Sequence, residues 1–413
     1  MRDNIIVGLD IGTAYCQAVV AKKTGDNGNL RILGVGKVPS SGLRKGVVVD
    51  IGEVIGTIRE CIKIAERTSG VPINHAYVSI GGAHIEVIPS HGVVAVSRAD
   101  EEISEVDISR AVESAQAISL PPNREIIHLI PREFSVDKER GIKDPIRMKG
   151  RRLEVEALII HASSPFVRNL IKATNEAGIE IDELVLSTLA SSGAVLTKRQ
   201  KELGVATVDI GGGTVGLSVF EEGNLIHAKI LPFGASHITN DIAIGLRTSI
   251  DLAEDIKLKY GFATVNEVSK KETVDFSKLS KSEEGSFSRR AVAEIIEARL
   301  SEIFSLFNKE LKKIDRERNL PAGVVLIGCG AKMPGIVDLA KRELMLPCQI
   351  GFPLELEGIF EEVDDPSFAT ACGLIFWGLD KEGGLGNGFS FSGIPSVGKT
   401  VSKIKGWFRT LLP

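Results

Sequence analysis

Apolar and polar positions follow the same order at two places in this chain. At residues 5–13 an apolar run leads into an aspartate, a glycine turn and a threonine, and residues 205–214 repeat that order with three glycines. Each turn is followed by an apolar run, a polar turn and a second apolar run. Both places are therefore expected to form strand, glycine turn, strand, turn and strand. The repetition predicts two similar half-domains.

Residues 84–163 have a different pattern. Short apolar runs predict strands there, one helical pattern ends near residue 119, and the charged stretch 137–152 is predicted to be a surface loop. We therefore expect a small α+β module inserted into the first half. The predicted strands of this module are 86–88, 92–97, 125–130, 133–136 and 153–161.

Helical spacing of apolar residues predicts helices outside this block. The clearest lie at 53–67, 166–176 and 291–311, and an apolar helix is expected at 369–379. Residues 234–300 are polar and are expected to be rich in helix.

The two glycine turns carry residue types that suit a phosphate. Glycine has no side chain, so backbone N–H groups can approach phosphate oxygens closely, and threonine adds a hydroxyl donor. Asp10 and Asp209 would face a magnesium ion, which keeps most of its waters and needs few carboxylates. Either turn alone could be a tight hairpin without a ligand, but the matched pair favours a phosphate clamp. The predicted phosphate-binding residues are Gly12, Thr13, Gly211, Gly212, Gly213 and Thr214.

Two further features could contact the rest of a nucleotide. An apolar strand at 324–327 runs into a turn that contains Gly328 and Gly330, whose bare backbone could pack against an adenine or a ribose. The alternative is an ordinary strand-to-helix turn. Glu254 and Lys257 lie three residues apart on one helical face and could hold the ribose or the adenine edge. The alternative for this pair is an exposed ion pair.

Composition narrows the class of protein. The net charge of −4 does not favour a nucleic-acid partner, and 43% hydrophobic residues suit a globular protein with large cores. The five cysteines are scattered and form no CxxC, so neither a zinc site nor a disulfide framework is expected, and a reducing cytosol fits. The seven histidines have no metal-ligand spacing. The first residues predict a strand rather than a signal peptide, and no stretch approaches the length of a transmembrane helix.

The last residues predict an amphipathic helix. Residues 397–413 have no acidic residue, their apolar positions share one face, and a glycine-rich stretch precedes them. In an otherwise acidic chain this favours a helix lying on anionic lipid, while a terminal helix docked on the body is the alternative. Residues 393–400 match the P-loop pattern, but we reject that site because no βαβ unit can follow it. The predicted membrane-binding residues are Lys399, Lys403, Ile404, Trp407, Phe408, Arg409, Leu411 and Leu412.

With its two aspartate turns and late glycine turn, the chain resembles the actin, Hsp70 and sugar-kinase superfamily. Within it the chain is similar to the FtsA family of actin-like bacterial cell-division proteins over essentially its full length. The tethered basic helix also belongs to that family. The other segments that carry the resemblance are 42–50, 120–122, 141–145, 240–248 and 253–257.

The resemblance implies an α/β fold of two actin-like (ribonuclease-H-like) halves with ATP and Mg²⁺ in the cleft. It also implies a protein that polymerises, tethers FtsZ filaments to the cytoplasmic face of the cell membrane at the division site, and recruits later division proteins. The helix-rich subdomain would dock the C-terminal peptide of FtsZ. On this basis we expect six parts in the chain. They are the first half (1–83, 164–200 and 359–380), the inserted module (84–163), the second half (201–233 and 304–358), the helix-rich subdomain (234–303), the linker (381–396) and the membrane helix (397–413).

The chain departs from the superfamily pattern in three places. Gly216 stands where an aspartate is usual, Cys329 stands where a glycine is common, and residues 186–189 offer only hydroxyls where a hydrolytic acid or glutamine is often found. We therefore expect ATP to hold the two halves closed and to be hydrolysed slowly at best. We assign no catalytic residue. A small-molecule kinase and a pilus-assembly protein of the same fold are the competing interpretations.

Overall fold

A computed structural model of the chain describes residues 5–24, 29–279, 285–354, 356–357 and 363–381. The predicted membrane helix at 397–413, and residues 382–396 of the predicted linker, lie outside this part of the chain. Among the described residues, no helix is both long enough and apolar enough to cross a membrane.

Helices and strands alternate along most of the described chain. The helices are α1 (Ile51–Ser69), α2 (Glu105–Gln116), α3 (Ser164–Glu176), α4 (Ser187–Val195), α5 (Lys198–Leu203), α6 (Ala235–Leu246), α7 (Ile250–Tyr260), α8 (Arg289–Lys313), α9 (Ile336–Leu344) and α10 (Ala369–Lys381). The strands are β1 (Ile5–Ile11), β2 (Tyr15–Thr24), β3 (Asn29–Pro39), β4 (Leu43–Arg44), β5 (Val47–Val48), β6 (His75–Ile80), β7 (Glu86–Ala95), β8 (Arg124–Val136), β9 (Glu139–Ile142), β10 (Arg152–Ser163), β11 (Glu180–Leu186), β12 (Val205–Ile210), β13 (Val215–Glu221), β14 (Asn224–Leu231), β15 (Thr273–Asp275), β16 (Ser286–Ser288), β17 (Val324–Ile327), β18 (Cys348–Ile350) and β19 (Leu356–Glu357).

The first half is built on a mixed sheet with the strand order β11-β6-β1-β2-β3-β19. Strands β1, β2 and β3 form an antiparallel meander, while β6 runs parallel to β1 and β11 runs parallel to β6. Helix α1 packs on this sheet; it begins at the cap Asp50, whose side chain accepts a hydrogen bond from the backbone of Glu53, and ends at Gly70 in the left-handed conformation. The predicted helix at 53–67 is confirmed.

The second half repeats this arrangement. Its sheet has the order β14-β13-β12-β17-β18, in which β12, β13 and β14 form the antiparallel meander and β17 and β18 continue in parallel. Strand for strand this is the order β3-β2-β1-β6-β11 of the first sheet. The prediction of two similar halves is therefore confirmed.

The inserted block forms a separate antiparallel sheet with the order β7-β10-β8-β9, covered on one face by α2. It has a hydrophobic core of its own, which includes Leu129, Phe134, Leu153 and Ile159. The α+β module predicted from the sequence is thus present.

Three local predictions within the module were wrong. The two strands expected at 86–88 and 92–97 are one strand, β7, because Pro89 lies in an edge strand, where a missing N–H is tolerated. The strands expected at 125–130 and 133–136 are likewise one strand, β8, with Pro131 at a shift of register against β10. The expected surface loop 137–152 contains the short strand β9.

Two helices join the halves. Helix α10 packs on β1, β2 and β6 of the first sheet, α4 packs on β12 and β13 of the second, and the two helices pack on each other. Their contact is backbone to backbone, since a Cβ atom on Gly373 would lie 1.8 Å from the carbonyl oxygen of Ala190. The hydroxyls of Ser192 in α4 and Thr207 in β12 lie 2.7 Å apart.

Candidate functional site between the two halves

The two glycine turns face each other between the halves. Each turn is closed by an equivalent hydrogen bond, from Gly12 N to Tyr15 O at 3.1 Å and from Gly211 N to Thr214 O at 2.9 Å. A Cβ atom on Gly212 would lie 2.7 Å from the Cβ of Ala14. The backbones of the two turns therefore approach so closely that a side chain on Gly212 would push them apart.

The second turn also supports the start of helix α6. Ala235 N donates to Gly211 O and Ser236 N donates to Gly212 O, each at 2.9 Å. A Cβ atom on Gly234, the residue before this helix, would lie 2.5 Å from Gly212 O. The turn is thereby held between the end of β12 and the amino end of α6.

A third turn completes the second half of the site. Strand β17 runs parallel to β12 and ends at Gly328, which has a φ of +84°. A Cβ atom there would lie 2.4 Å from Asp209 Oδ1, and one on Gly330 would lie 2.3 Å from Ile210 Cγ2. Both glycines are thus required for packing against the end of β12, and they bring the backbone of this turn beside Asp209.

Two aspartates lie in the cleft at the ends of equivalent strands. Ser79 Oγ at the end of β6 donates to Asp10 Oδ1 at 2.6 Å, and burial raises the pKa of Asp10 to about 6 despite this hydrogen bond. Burial, followed by the negative charge of Asp10, raises the pKa of Asp209 to about 7, although Thr370 Oγ1 donates to its Oδ2 at 3.4 Å. The two carboxylates therefore repel each other across the cleft.

Such a pair fits a hydrated divalent cation. A cation between the carboxylates would relieve their repulsion, and Mg²⁺ binds through one or two carboxylates plus waters and phosphate oxygens. Among the described residues, no group of three or more His, Cys, Asp and Glu side chains could hold a metal by itself. The donor set thus suits an ion that arrives with its own waters and an anionic ligand, rather than a fully protein-coordinated metal.

Two adjoining cavities form the cleft. The first, of about 100 Å³, is lined by both glycine turns, both aspartates and the hydroxyls of Ser79, Ser187 and Thr370. The second, of about 390 Å³, lies beside the third turn and is lined by Glu254, Lys257 and Met333 among others. Ala14, Gly212 and Cys329 line both cavities, which therefore lie side by side. Burial raises the pKa of Cys329 to about 11, so its thiol is neutral at the boundary.

Glu254 and Lys257 form the ion pair that their spacing predicts, but the pair is not simply exposed. Lys257 Nζ lies 2.7 Å from Glu254 Oε2, and the Lys257 side chain is only 7% exposed whereas that of Glu254 is 42% exposed. Thr239 Oγ1 donates to the same carboxylate and accepts from Lys257 Nζ at 2.9 Å. The carboxylate of Glu254 is thereby fixed at the wall of the larger cavity, so the exposed-pair interpretation was wrong for Lys257.

The cleft brings together the predicted phosphate, metal and nucleoside residues of both halves. The predicted membrane-binding residues, from Lys399 to Leu412, lie outside the described residues. Sequence reasoning missed Ser79, Ser367 and Thr370, which line the smaller cavity; it named Ser187, which also lines it, only as part of the hydroxyl-bearing segment 186–189. For Ser79 the local signal was the pair of glycines that follows β6. These glycines mark a turn at the same sheet edge as the first glycine turn.

Comparison with known proteins gives consistent results. A family model for cell division protein FtsA matches residues 206–373, and a model for the SHS2 domain inserted in FTSA matches residues 82–161. The cell division protein FtsA of Pseudomonas aeruginosa is 36% identical over 409 residues, which cover 98% of this chain and 97% of the relative. That of Bacillus subtilis is 40% identical over 374 residues, which cover 91% of this chain and 83% of the relative.

Solved structures agree on the fold. A chain of a PilM-PilN type IV pilus biogenesis complex has a TM-score of 0.65 at 17% identity, and the match covers 91% of this chain and 98% of that chain. MreB 5 of Spiroplasma citri bound to AMPPNP has a TM-score of 0.52 at 16% identity, and the match covers 93% of this chain and 98% of that chain. At these identities the likeness concerns the fold alone, which is actin-like. The chain therefore belongs to the FtsA family of cell division proteins and combines an actin-like fold with the inserted SHS2 domain of that family.

Proposed function

We propose that this chain is an ATP-binding scaffold of cell division, in which Mg·ATP occupies the cleft and holds the two halves together. The observation that carries this proposal is the pair of glycine turns that face each other across the cleft, each beside an aspartate at the end of an equivalent strand. An FtsA-family chain with this arrangement is well suited to a ligand that both halves contact at once.

The phosphate chain would be held by the two turns. Because the N–H groups of Gly12 and Gly211 close the turns, the backbone N–H groups of Gly212 and Gly213 would be the donors for phosphate oxygens, and the hydroxyls of Thr13 and Thr214 would add to them. Asp10 and Asp209 would hold Mg²⁺ through its waters. When bound, Mg·ATP supplies negative phosphates for both sets of donors and a positive charge between the two carboxylates.

The nucleoside would occupy the larger cavity. Its volume of about 390 Å³ falls within the range of small-molecule sites. The carboxylate of Glu254, fixed by Thr239 and Lys257, is a suitable acceptor for sugar hydroxyls. Gly330 of the third turn lines this cavity, so the backbone of that turn would lie beside the nucleoside.

Turnover of ATP is expected to be slow. Among the described residues that line the smaller cavity there is no histidine, glutamate or lysine, and its acidic groups are the two proposed magnesium-binding aspartates. General-base catalysis needs a group within hydrogen-bond reach of the attacking water or hydroxyl. Apart from these two aspartates, the described lining offers the kinase interpretation no histidine, glutamate or lysine for this role, which favours ATP as a conformational clamp.

The scaffold would act at the cytoplasmic face of the cell membrane at the division site. We propose that residues 397–413 bind anionic lipid, that residues 234–303 dock the C-terminal peptide of FtsZ, and that the chain forms filaments and recruits later division proteins. Four basic residues with no acidic one, and apolar positions on a single helical face, support lipid binding by the tail. Self-association would place many weak anchors on one membrane and so strengthen binding.

Co-sedimentation with anionic vesicles tests the membrane part of this proposal. The full chain, with ATP and Mg²⁺, is expected to pellet with phosphatidylglycerol-containing vesicles, and a chain ending at Ser396 is expected to stay in the supernatant. The full-length variant Trp407→Glu is the matched control, because it keeps the chain length and every basic residue but removes an apolar anchor. Equal pelleting of all three chains would contradict lipid binding by the tail. Binding of ATP by the shortened chain should be unchanged.

A further inference from the structure

A small hairpin lies over the smaller cavity and has a lysine at its tip. Strands β4 and β5 pair Leu43 with Val48 and Arg44 with Val47, so that Lys45 and Gly46 form a two-residue loop. Both loop residues have positive φ, +51° for Lys45 and +76° for Gly46, as a type I′ turn requires. Asparagine, aspartate and glycine are the residues that favour the first position of such a loop, so a lysine there is conformationally unfavourable.

The tip of this hairpin touches both phosphate turns. Gly46 N donates to Thr13 Oγ1 at 3.0 Å, and a Cβ atom on Gly213 would lie 3.1 Å from the backbone nitrogen of Lys45. The tip is thus wedged between a turn of the first half and a turn of the second. Gly46 also lines the smaller cavity, whereas no residue of the hairpin lines the larger one.

The smaller cavity lacks positive charge. Among the described residues, its lining contains two aspartates and no lysine or arginine. Lys45 is exposed and directly precedes Gly46, which lines this cavity. Burial lowers the pKa of His237, at the start of α6, and the positive charge of Lys45 lowers it further. A cation from the first half is therefore close to the second phosphate turn.

We propose that the ammonium group of Lys45 binds the terminal phosphate of a nucleoside triphosphate held between the two turns. A nucleotide whose nucleoside fills the larger cavity would extend its phosphates into the smaller one, so its terminal phosphate would be the group nearest the hairpin. The hairpin would then distinguish a triphosphate from a diphosphate and would close over the triphosphate alone. This inference rests on the proposed nucleotide site.

The test compares the affinities of Mg·ATP and Mg·ADP for the full chain by titration calorimetry. Lys45→Asn removes the charge but places a favoured residue in the type I′ loop, so the fold is retained or slightly stabilised. This variant is expected to bind Mg·ATP about 10- to 100-fold more weakly, the range of a charge-assisted hydrogen bond, and Mg·ADP less than about threefold more weakly. Arg44→Ala is the matched control, since it removes a positive charge from the same hairpin one residue before the tip. It should leave the ratio of the two affinities unchanged.

Two results would overturn the assignment of Lys45. One is equal weakening of both nucleotides by Lys45→Asn, and the other is no weakening of either while the unmodified chain binds both. Failure of the unmodified chain to bind ATP and ADP would instead overturn the proposed nucleotide site, and this inference with it. The melting temperature of Lys45→Asn is also measured without nucleotide. If it is at or above that of the unmodified chain, the variant is folded and the lost affinity comes from the missing charge.

Discussion

The two halves share one strand order but differ in what the chain inserts between the strands. In the first half the insertion follows β6 and forms a separate sheet with its own core. In the second half it follows β14 and consists mainly of helices α6, α7 and α8, which share a core with the sheet beneath them. The shared strands place one aspartate turn each at the cleft, whereas only the helical insertion of the second half also lines the larger cavity. In the proposed function the duplicated part would bind the nucleotide, and the unequal insertions would be available for different partners.

The two aspartate turns also differ in detail. Asp10 accepts a short hydrogen bond from Ser79, at 2.6 Å, whereas Asp209 accepts a longer one from Thr370, at 3.4 Å. The second turn has three glycines where the first has one. The turn of the second half therefore has more backbone without side chains, and its carboxylate has the more strongly raised pKa. Each difference can be tested.

The largest expected effect comes from the contact that joins the halves. Gly373→Ala places a Cβ atom against the backbone of Ala190, which cannot move aside like a flexible side chain, so we expect a loss of about 3 kcal/mol or more in the free energy of unfolding. Gly56→Ala in α1 is the matched control. No atom lies within 4 Å of its added methyl group, and a gain of about 0.5–1 kcal/mol is expected because glycine is unfavourable inside a helix. Urea denaturation measures both, and similar effects of the two variants would contradict the tight contact.

An intermediate effect is expected from the two carboxylates in the absence of ligand. The raised pKa values of Asp10 and Asp209 mean that the folded chain holds protons more tightly than the unfolded chain, so stability should fall as the pH rises from about 4 towards 7. Asp209→Asn should therefore stabilise the chain at pH 7.5 in EDTA by about 1–3 kcal/mol, and Asp10→Asn by less. The double variant should gain less than the sum, because each single change already relieves the mutual repulsion.

Thermal unfolding from pH 4.5 to 8 measures these differences. Both variants should also bind Mg·ATP more weakly. A gain in stability together with this loss of affinity distinguishes carboxylates that destabilise the fold but bind the ligand from residues whose replacement is merely stabilising. A larger stabilisation from Asp10→Asn than from Asp209→Asn would show that the asymmetry between the turns is misassigned.

The smallest effect concerns the junction between the inserted module and the first half. His128 in β8 is fully buried, accepts a hydrogen bond from Leu186 N at 3.1 Å and packs against Trp377. Burial, with a further contribution from Lys381, lowers the pKa of His128 to about 3. The unfolded chain therefore binds a proton more readily, and this contribution to stability is lost as the pH falls below about 6.5.

His128→Gln should make stability less sensitive to acid. Glutamine can still accept the hydrogen bond from Leu186 but cannot be protonated, so we expect a decrease of about 1–2 kcal/mol in the stability lost between pH 7.5 and 5. Denaturant unfolding at the two pH values measures this difference. His91→Gln, which removes an exposed imidazole from strand β7 of the same sheet, is the control. An unchanged acid dependence in His128→Gln would contradict the inference that this histidine is held neutral.

The sequence predicted the parts of the molecule whose signals are local. Aspartate and glycine after an apolar run identify the turn at the end of β1 and again at the end of β12, and helical spacing identifies α1 and α8. The contacts that complete the site are not local. Ser79 lies 69 residues from Asp10, and Thr370 lies 161 residues from Asp209. An isolated serine or threonine carries no pattern that indicates such a partner, so only the fold brings these pairs together.

The hairpin at 43–48 illustrates the same limit. Its segment was part of the family resemblance, yet nothing in the residues themselves indicated that Gly46 would donate to Thr13 or that Lys45 would lie beside Gly213. The burial of Lys257 was likewise not predicted, because its position on a polar helix gave no sign of the cavity against which that helix packs.

The central claim is that two facing glycine turns, one from each half, bind Mg·ATP together. Its most direct test is equilibrium binding of Mg·ATP to the unmodified chain and to Gly212→Val, with Gly56→Ala as the control for a glycine remote from the cleft. We predict saturable binding to the unmodified chain and to the control. Gly212→Val should bind about tenfold or more weakly, because its side chain meets Ala14 and separates the turns. Wild-type affinity in Gly212→Val, or no saturable binding to the unmodified chain, would contradict the account.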